Sequence, residues 1–183
     1  MTARDPRFPP PGWSSWDQVP SVIQDGGGTD VPWRYLGDWL TDAEQSGGLD
    51  LCPDFQRGHV WTREQRIAYV ENKARGAIPL DIVRFNAAGW SSGRRVPLVC
   101  VDGLQRLTTA RMFMADELPC FGRLRSEVSG PMRMQWRFRI VVNELPTRAD
   151  VLRWYLELNA GGTPHAPEEL ERVAGLLLRE VVP

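Results

Sequence analysis

LVCVDGLQRLTTARMFM, residues 98–114, holds a short apolar run and a helical pattern joined by one Asp-Gly step. The run Leu98–Val101 is typical of a buried strand. After Asp102 and Gly103 the apolar residues return with helical spacing. The predicted inward face of this helix comprises Leu104, Leu107, Arg111, Met114 and Leu118, with Ala110 beside them. The stretch therefore predicts a strand that turns directly into a helix, with an acid and a glycine at the corner.

The corner carries groups that suit a phosphate. Gln105 and Arg106 stand in the first helical turn, followed by Thr108 and Thr109. Free backbone N–H groups at a helix start attract anions, and an arginine there adds a planar cation. We therefore interpret the corner as a candidate phosphate site, while an ordinary tight turn with a surface arginine stays the alternative.

Composition limits the classes of protein that fit. The chain has 183 residues, 42% of them apolar, and a formal net charge of −1. This composition predicts an ordinary hydrophobic core and no net positive charge that would attract nucleic acid to the whole protein. A local stripe of basic residues could still bind nucleic acid. The three cysteines show no metal spacing, and no segment reads as a leader or membrane span. We expect a soluble, cytoplasmic protein with free thiols, in which Cys100 is a small core residue.

The segments before the corner predict a helix–strand succession. Residues 1–30 are rich in Pro and Gly and predict a flexible arm, and residues 31–183 predict a single domain. Asp30 would cap a first short helix that ends near Gly48. Thr62 and Gln65 form a capping box for a helix through Arg75, and 78–85 is a strand candidate.

The segments after the corner predict one more strand and two helices. Residues 135–142 alternate between apolar and polar positions, which is typical of a half-buried strand. Its outer face carries Arg137 and Arg139, and the loop before the central strand carries Arg94 and Arg95. These four arginines are candidates for a DNA backbone track, with a solvated face as the alternative. Thr147 would cap the next helix, and residue 167 would start the last one.

Four ordered segments carry a family resemblance. They are PDFQRGHVW (53–61), IPLDIV (78–83), VDGLQRLTT (101–109) and LNAGGTPHAPEEL (158–170). In this order they resemble the DGQQR-box domain family of the ParB/sulfiredoxin-like superfamily, which includes the N-terminal domain of GmrSD-type restriction systems. The match covers about residues 49–175. Leu104 departs from the pattern, because the family usually has Gln there.

The resemblance implies a fold and a set of site residues. The implied fold is an α+β, ParB/sulfiredoxin-like small mixed sheet flanked by helices, with extra C-terminal helices. Arg57, Asp102 and Arg106 would be the catalytic residues, and Asp102 would also hold a metal. Phosphate or nucleotide contacts would come from Gln56, Gly103, Gln105, Thr108, Thr109, Asn159, Gly161 and Gly162. His59 and Asp54 are further possible pocket residues.

The resemblance also implies a function. Relatives in the superfamily bind nucleotides, and some transfer a phosphoryl group, so this chain would use ATP or another NTP with Mg²⁺. The acceptor would be water or a hydroxyl of DNA, for example on a hydroxymethylated pyrimidine. A non-catalytic nucleotide-sensing DNA-binding module and a modification-dependent nuclease component are the alternatives. No P-loop sequence is present, so phosphates would be bound by another arrangement.

Overall fold

The computed structural model describes residues 7–15, 18–56, 58, 60–78, 81–93, 95–160 and 167–181. Within these residues the chain forms five strands and five α-helices. The strands are β1 (Gly27–Pro32), β2 (Leu49–Asp50), β3 (Asp81–Asn86), β4 (Leu98–Asp102) and β5 (Arg137–Asn143). The helices are α1 (Leu36–Gly47), α2 (Arg63–Ala74), α3 (Leu104–Met114), α4 (Arg148–Ala160) and α5 (Pro167–Val181). The predicted α+β class is confirmed.

The chain divides into two compact units. One unit is Gly26–Glu144, and the other combines residues 1–25 with 145–183. The first unit contains all the strands of the described residues together with α1, α2 and α3. The second contains α4 and α5, which pack against each other.

The sheet of the first unit is mixed, with strand order β1-β5-β3-β4-β2. β1 runs antiparallel to β5, β5 parallel to β3, β3 antiparallel to β4, and β4 parallel to β2. The hydrophobic core lies between the sheet and the helices. Its buried members include Val83, Phe85, Cys100 and Phe138 of the strands and Leu107 of α3.

Local sequence signals account for several helix ends. Thr62 and Gln65 form the predicted capping box at the start of α2. Gly76 follows α2 with φ +80°, a conformation that glycine adopts without strain. At α4 the Thr147 hydroxyl accepts the Asp150 N–H at 3.1 Å. These caps are local hydrogen bonds, which explains why the sequence alone predicted them.

The segment around residue 30 differs from its prediction. Instead of an arm and a capped helix, Gly27–Pro32 pairs with β5 as an edge strand, and α1 begins only at Leu36. A Cβ at Gly28 would lie 3.1 Å from the Ile140 carbonyl oxygen. The glycines here allow a close backbone approach to β5, whereas the sequence analysis attributed them to flexibility.

The inward face of α3 also differs from its prediction. The buried residues of this helix are Leu104, Leu107, Thr109, Ala110 and Phe113, whereas Arg111 is exposed. The helix ends at Met114, so Leu118 is buried from the following segment instead. The predicted face was therefore wrong at Arg111, because the aromatic Phe113 is in the core instead.

Among the described residues, no helix combines the length and the apolar character that crossing a bilayer requires.

Candidate functional site

The corner between β4 and α3 requires glycine at residue 103. Gly103 has φ +104°, and a Cβ there would lie 3.0 Å from Val83 Cγ2 of β3. A side chain at this position would be strained by its backbone conformation and would also meet β3. Gly103 is the N-cap residue of α3 and has no side chain, so it cannot accept a hydrogen bond from the first backbone N–H groups of the helix. These amides and the Asp102 carboxylate therefore lie at the same end of the sheet.

Two arginines contact the carboxylate of Asp102. Arg106 Nη2 donates to Asp102 Oδ2 at 2.8 Å from the first turn of α3. Arg84 Nη1 donates to the same oxygen at 3.2 Å from β3. The exposed fractions are 17% for Arg84, 32% for Asp102 and 26% for Arg106, so solvent can reach the cluster. Two guanidinium groups and one carboxylate leave a net charge of +1, which favours an anionic ligand.

Sequence reasoning did not single out Arg84. A register shift between β3 and β4 at Arg84/Phe85 makes Phe85 the partner of Cys100, and Arg84 the partner of Asp102. Without the extra residue of β4, Arg84 would face Val101. Bulges of this kind re-aim side chains and recur next to active sites. The sequence did offer one indication of Arg84, because it is a charged residue inside the apolar run of β3. Arginine is rarely buried without a partner, so an arginine at such a position indicates a nearby carboxylate.

The two glutamines of the site hold the chain before α2 against the corner. Gln105 Nε2 donates to the Gly58 carbonyl at 2.9 Å, and Gln105 Oε1 accepts the Trp61 N–H at 3.3 Å. Gln56 Nε2 donates to the Cys100 carbonyl of β4 at 2.8 Å. Gln56, Gly58 and Trp61 of the segment before α2 are therefore adjacent in space to Cys100 and Gln105 at the corner. Apart from the 3.4 Å contact between the Gln56 amide and the Cys100 sulfur, the hydrogen bonds of both amides are with the backbone, which assigns them a positioning role.

A buried charged group lies close to the corner. Lys73 Nζ is 2.8 Å from Asp81 Oδ2, and the Tyr69 hydroxyl donates to the same oxygen at 2.6 Å. Lys73 is completely buried and Asp81 is 4% exposed. Burial, followed by the charge of Asp81, raises the pKa of Tyr69 far above its usual range, while Arg106 acts in the opposite direction. These three side chains connect α2 with the first residue of β3.

Burial raises the pKa of the Cys100 thiol to about 12. The side chain is fully buried in β4 beneath Gln56, whose amide lies 3.4 Å from the sulfur. A thiol that stays protonated at neutral pH is not a nucleophile. Cys100 is a core residue, as predicted.

The remaining predicted site residues are distributed as follows. Thr109 is completely buried and its hydroxyl donates to the Gln105 carbonyl at 2.7 Å, while Thr108 is half-buried on the same helix. Asp54 is exposed in the turn that follows Pro53. Asn159 lies near the end of α4, in the other unit, and its amide donates to the Tyr155 carbonyl at 2.6 Å. The predictions for Arg57, His59, Arg94, Gly161 and Gly162 lie outside the described residues.

The predicted basic track on β5 is partly neutralised. Arg137 Nε forms an ion pair with Oδ2 of Asp30 in β1 at 3.2 Å, and Arg139 Nη1 donates to Asp30 Oδ1 at 3.3 Å. Arg95 is exposed in the loop before β4, where it lines a depression of about 330 Å³ together with Trp90. The arginines of β5 are thus positioned on an outer face, as the alternation predicted, but with a carboxylate between them.

Comparisons with protein-family models, with curated proteins and with solved structures found no match for this chain.

Proposed function

We propose that the chain is an NTP-dependent phosphoryl-transfer enzyme that acts on DNA, built on a ParB/sulfiredoxin-like fold. The observation that carries the proposal is the cluster of Arg84, Asp102 and Arg106 at a glycine corner, beside the uncapped start of α3. Phosphoryl transfer depends on positioning and on neutralising charge at the non-bridging oxygens. Two guanidinium groups and a row of backbone N–H groups provide both.

The roles of the individual residues follow from their contacts. Arg106 and Arg84 would bind phosphate oxygens of the nucleotide, and Asp102 would hold the two guanidinium groups in place. Gln105 would hold Gly58 and Trp61 beside the corner, and Gln56 would be bound to Cys100 of β4. The family resemblance makes Arg57 a further phosphate ligand. Removing one phosphate-binding arginine costs on the order of 3 kcal/mol in the transition state of comparable enzymes.

Mg²⁺ fits this cluster only as an ion that enters with the nucleotide. Among the described residues, no group of three or more His, Cys, Asp or Glu side chains is placed to hold a metal. Asp102 alone would offer a carboxylate oxygen, and it already accepts two guanidinium hydrogen bonds. Mg²⁺ is commonly held by substrate phosphates and one or two carboxylates, and it would neutralise phosphate charge when bound.

The acceptor belongs to the part of the proposal that rests on the resemblance. In the transfer to DNA, a hydroxyl oxygen forms a bond to the γ-phosphorus, the bond from that phosphorus to the β–γ bridging oxygen breaks, ADP leaves with this oxygen, and the hydroxyl proton passes to water. A hydroxymethylated pyrimidine supplies such a hydroxyl.

A direct experiment incubates the protein with γ-labelled ATP, Mg²⁺ and single-stranded oligonucleotides with or without hydroxymethylpyrimidine. The expected result is label on the hydroxymethylated DNA, or release of labelled phosphate if water is the acceptor. An Arg106→Gln variant should lose at least 100-fold of either activity, while Arg111→Gln, an exposed change on the same helix, should keep it. Absence of transfer and of release in all reactions would refute the proposal.

A non-catalytic nucleotide-sensing module is the second candidate, and one observation favours it. The only carboxylate of the described cluster is bonded to two arginines, an arrangement that suits phosphate binding without activation of an acceptor. This candidate predicts that ATP binds with the same affinity with and without Mg²⁺ and is recovered unchanged. Equilibrium binding and product analysis in the same samples separate the two candidates.

A further inference from the structure

A cavity of about 590 Å³ lies away from the Asp102 corner, in the unit Gly26–Glu144. Its wall includes the irregular segment between α3 and β5, and its lining includes Phe113 and Trp136, whose rings stack with centroids 5.1 Å apart. The volume is within the usual range for sites that bind organic ligands. The proposed function does not use this cavity.

Three arginines line the cavity: Arg123, Arg125 and Arg133. All three residues are exposed. Within the described part of the chain, none of them forms a salt bridge. Aromatic rings beside these arginines match a ligand that has both a flat π-system and negative charge. Nucleotides combine these two properties.

The carboxylates next to the arginines are directed to the backbone instead. Glu71 Oε1 accepts the Phe121 N–H at 3.0 Å, Asp116 Oδ1 the Ser126 N–H at 2.9 Å, and Glu127 Oε2 the Leu124 N–H at 2.9 Å. The bond to Ser126 is the main reason that the pKa of Asp116 is lowered. These contacts hold the backbone of an irregular segment whose arginines line the cavity.

Features beyond the cavity favour a strand of nucleotides over a single one. A second depression of about 230 Å³ shares Met132, Arg133 and Trp136 with the cavity and adds Arg34, together with Arg137 and the Asp30 carboxylate that pairs with it. Phe121 and Val128, each 60% exposed, lie at the cavity as well. Two adjoining depressions, both with arginines and apolar side chains, match successive bases with phosphates between them.

From this arrangement we infer that the surface formed by Phe121, Arg123, Arg125, Arg133 and Trp136 binds single-stranded DNA. The inference deepens the proposed function by assigning a site to its DNA substrate, and it rests on that function for the choice of DNA as the ligand. The binding itself requires neither a nucleotide triphosphate nor the Asp102 cluster. It can therefore be tested without any phosphoryl transfer.

The experiment measures the fluorescence anisotropy of a labelled 12-nucleotide oligothymidylate at several salt concentrations, without ATP. The triple variant Arg123→Gln, Arg125→Gln, Arg133→Gln is expected to bind at least 30-fold more weakly. The slope of log K against log salt should fall by about 0.7 for each arginine that contacts a phosphate. Phe121→Leu, which keeps an apolar side chain but removes the ring, should lose a few-fold through lost stacking. Arg111→Gln, an exposed change on α3, is the matched control and should bind as the parent does.

Three results would overturn the inference. These are equal affinity of the triple variant and the parent, equal losses in the triple variant and Arg111→Gln, or binding of duplex DNA or heparin as tight as that of the single strand. Arg106→Gln separates the two proposals, because it should lose phosphoryl transfer and still bind the oligonucleotide. If the oligonucleotide does not bind but transfer depends on Arg106, only the inference about this surface fails.

Discussion

Arg84 lies directly opposite Asp102 in the β3–β4 ladder, and its Nη1 is 3.2 Å from Asp102 Oδ2. The pairing exists because the register shifts by one residue next to Arg84. Arg106 reaches the same oxygen from one helical turn beyond the corner. The Asp102 carboxylate therefore connects Arg84 of β3 with Arg106 of α3, and it holds both guanidinium groups at the β4–α3 corner.

Replacement of Arg84 tests this arrangement. Arg84→Gln should weaken ATP binding about tenfold, because one charge-assisted phosphate contact contributes on the order of 1.5 kcal/mol or more. Isothermal titration with ATP measures the change. Arg111→Gln is a control of the same chemistry on an exposed face of α3. Unchanged affinity in Arg84→Gln would remove Arg84 from the proposed phosphate site.

Gln105 is expected to stabilise the loop before α2. Gln105→Ala removes the hydrogen bonds to the Gly58 carbonyl and the Trp61 N–H, and it should lower the free energy of unfolding by about 1–2 kcal/mol. Amide exchange at Trp61 should accelerate in this variant. Gln135→Ala, which removes one longer bond of 3.4 Å to Ala74, is the control and should change stability less. Equal effects of the two changes would contradict the positioning role of Gln105.

The residue that departs from the family pattern gives a third prediction. Leu104 is 3% exposed within the core. Leu104→Gln, which introduces the residue usual in the family that the sequence resembles, should lower the free energy of unfolding by about 2 kcal/mol, since an amide would be buried in an apolar site. Urea denaturation measures the difference, with Leu104→Met as the volume-matched control. A more stable Gln variant would show that the amide finds partners at the corner.

The buried ion pair of Lys73 and Asp81 gives a fourth prediction. Lys73→Met should destabilise the protein by about 3–5 kcal/mol, because the Asp81 carboxylate would stay buried without its cation. Adding Asp81→Asn should recover much of that loss, which a double-mutant cycle in urea would reveal. If the double variant were no more stable than Lys73→Met, the uncompensated charge would not be the cause.

The Cys100 thiol gives a pH dependence. Its pKa is raised to about 12 by burial in the folded chain, above that of the unfolded chain. The folded state therefore holds the proton more tightly, and stability is fully present below about pH 8.5, the ordinary pKa of a thiol. Between about pH 8.5 and 12 this group should lower the free energy of unfolding by up to about 1.4 kcal/mol per pH unit.

Urea denaturation at pH 8, 9 and 10 measures this slope. Cys100→Ala should be less stable at pH 8 but should lose less stability as the pH rises, since it has no thiol to ionise. Val101→Ala is the control, because it removes a buried apolar side chain beside Cys100 that has no proton to lose, so it should lower stability without changing the slope. Parallel pH profiles for Cys100→Ala and the parent would contradict the assignment.

The sequence by itself determined the elements whose causes are local. The apolar run Leu98–Val101, the Asp-Gly step and the capping residues Thr62 and Thr147 each act over a few neighbouring residues, and the structure has the corner and the helix starts where they predicted. The α+β class follows from the same alternation of strands and helices.

Only the tertiary structure decided which distant side chains meet. The partner of Asp102 on β3 depends on a register shift, and pairing register is set by contacts across the sheet that no local pattern encodes. The burial of Lys73 depends likewise on Asp81, eight positions away and on another element. Strand pairing and charge burial are long-range terms in the folding free energy, whereas caps and periodicity are short-range ones. For this reason the sequence predicted the acid and the glycine of the corner, and the fold supplied the second arginine.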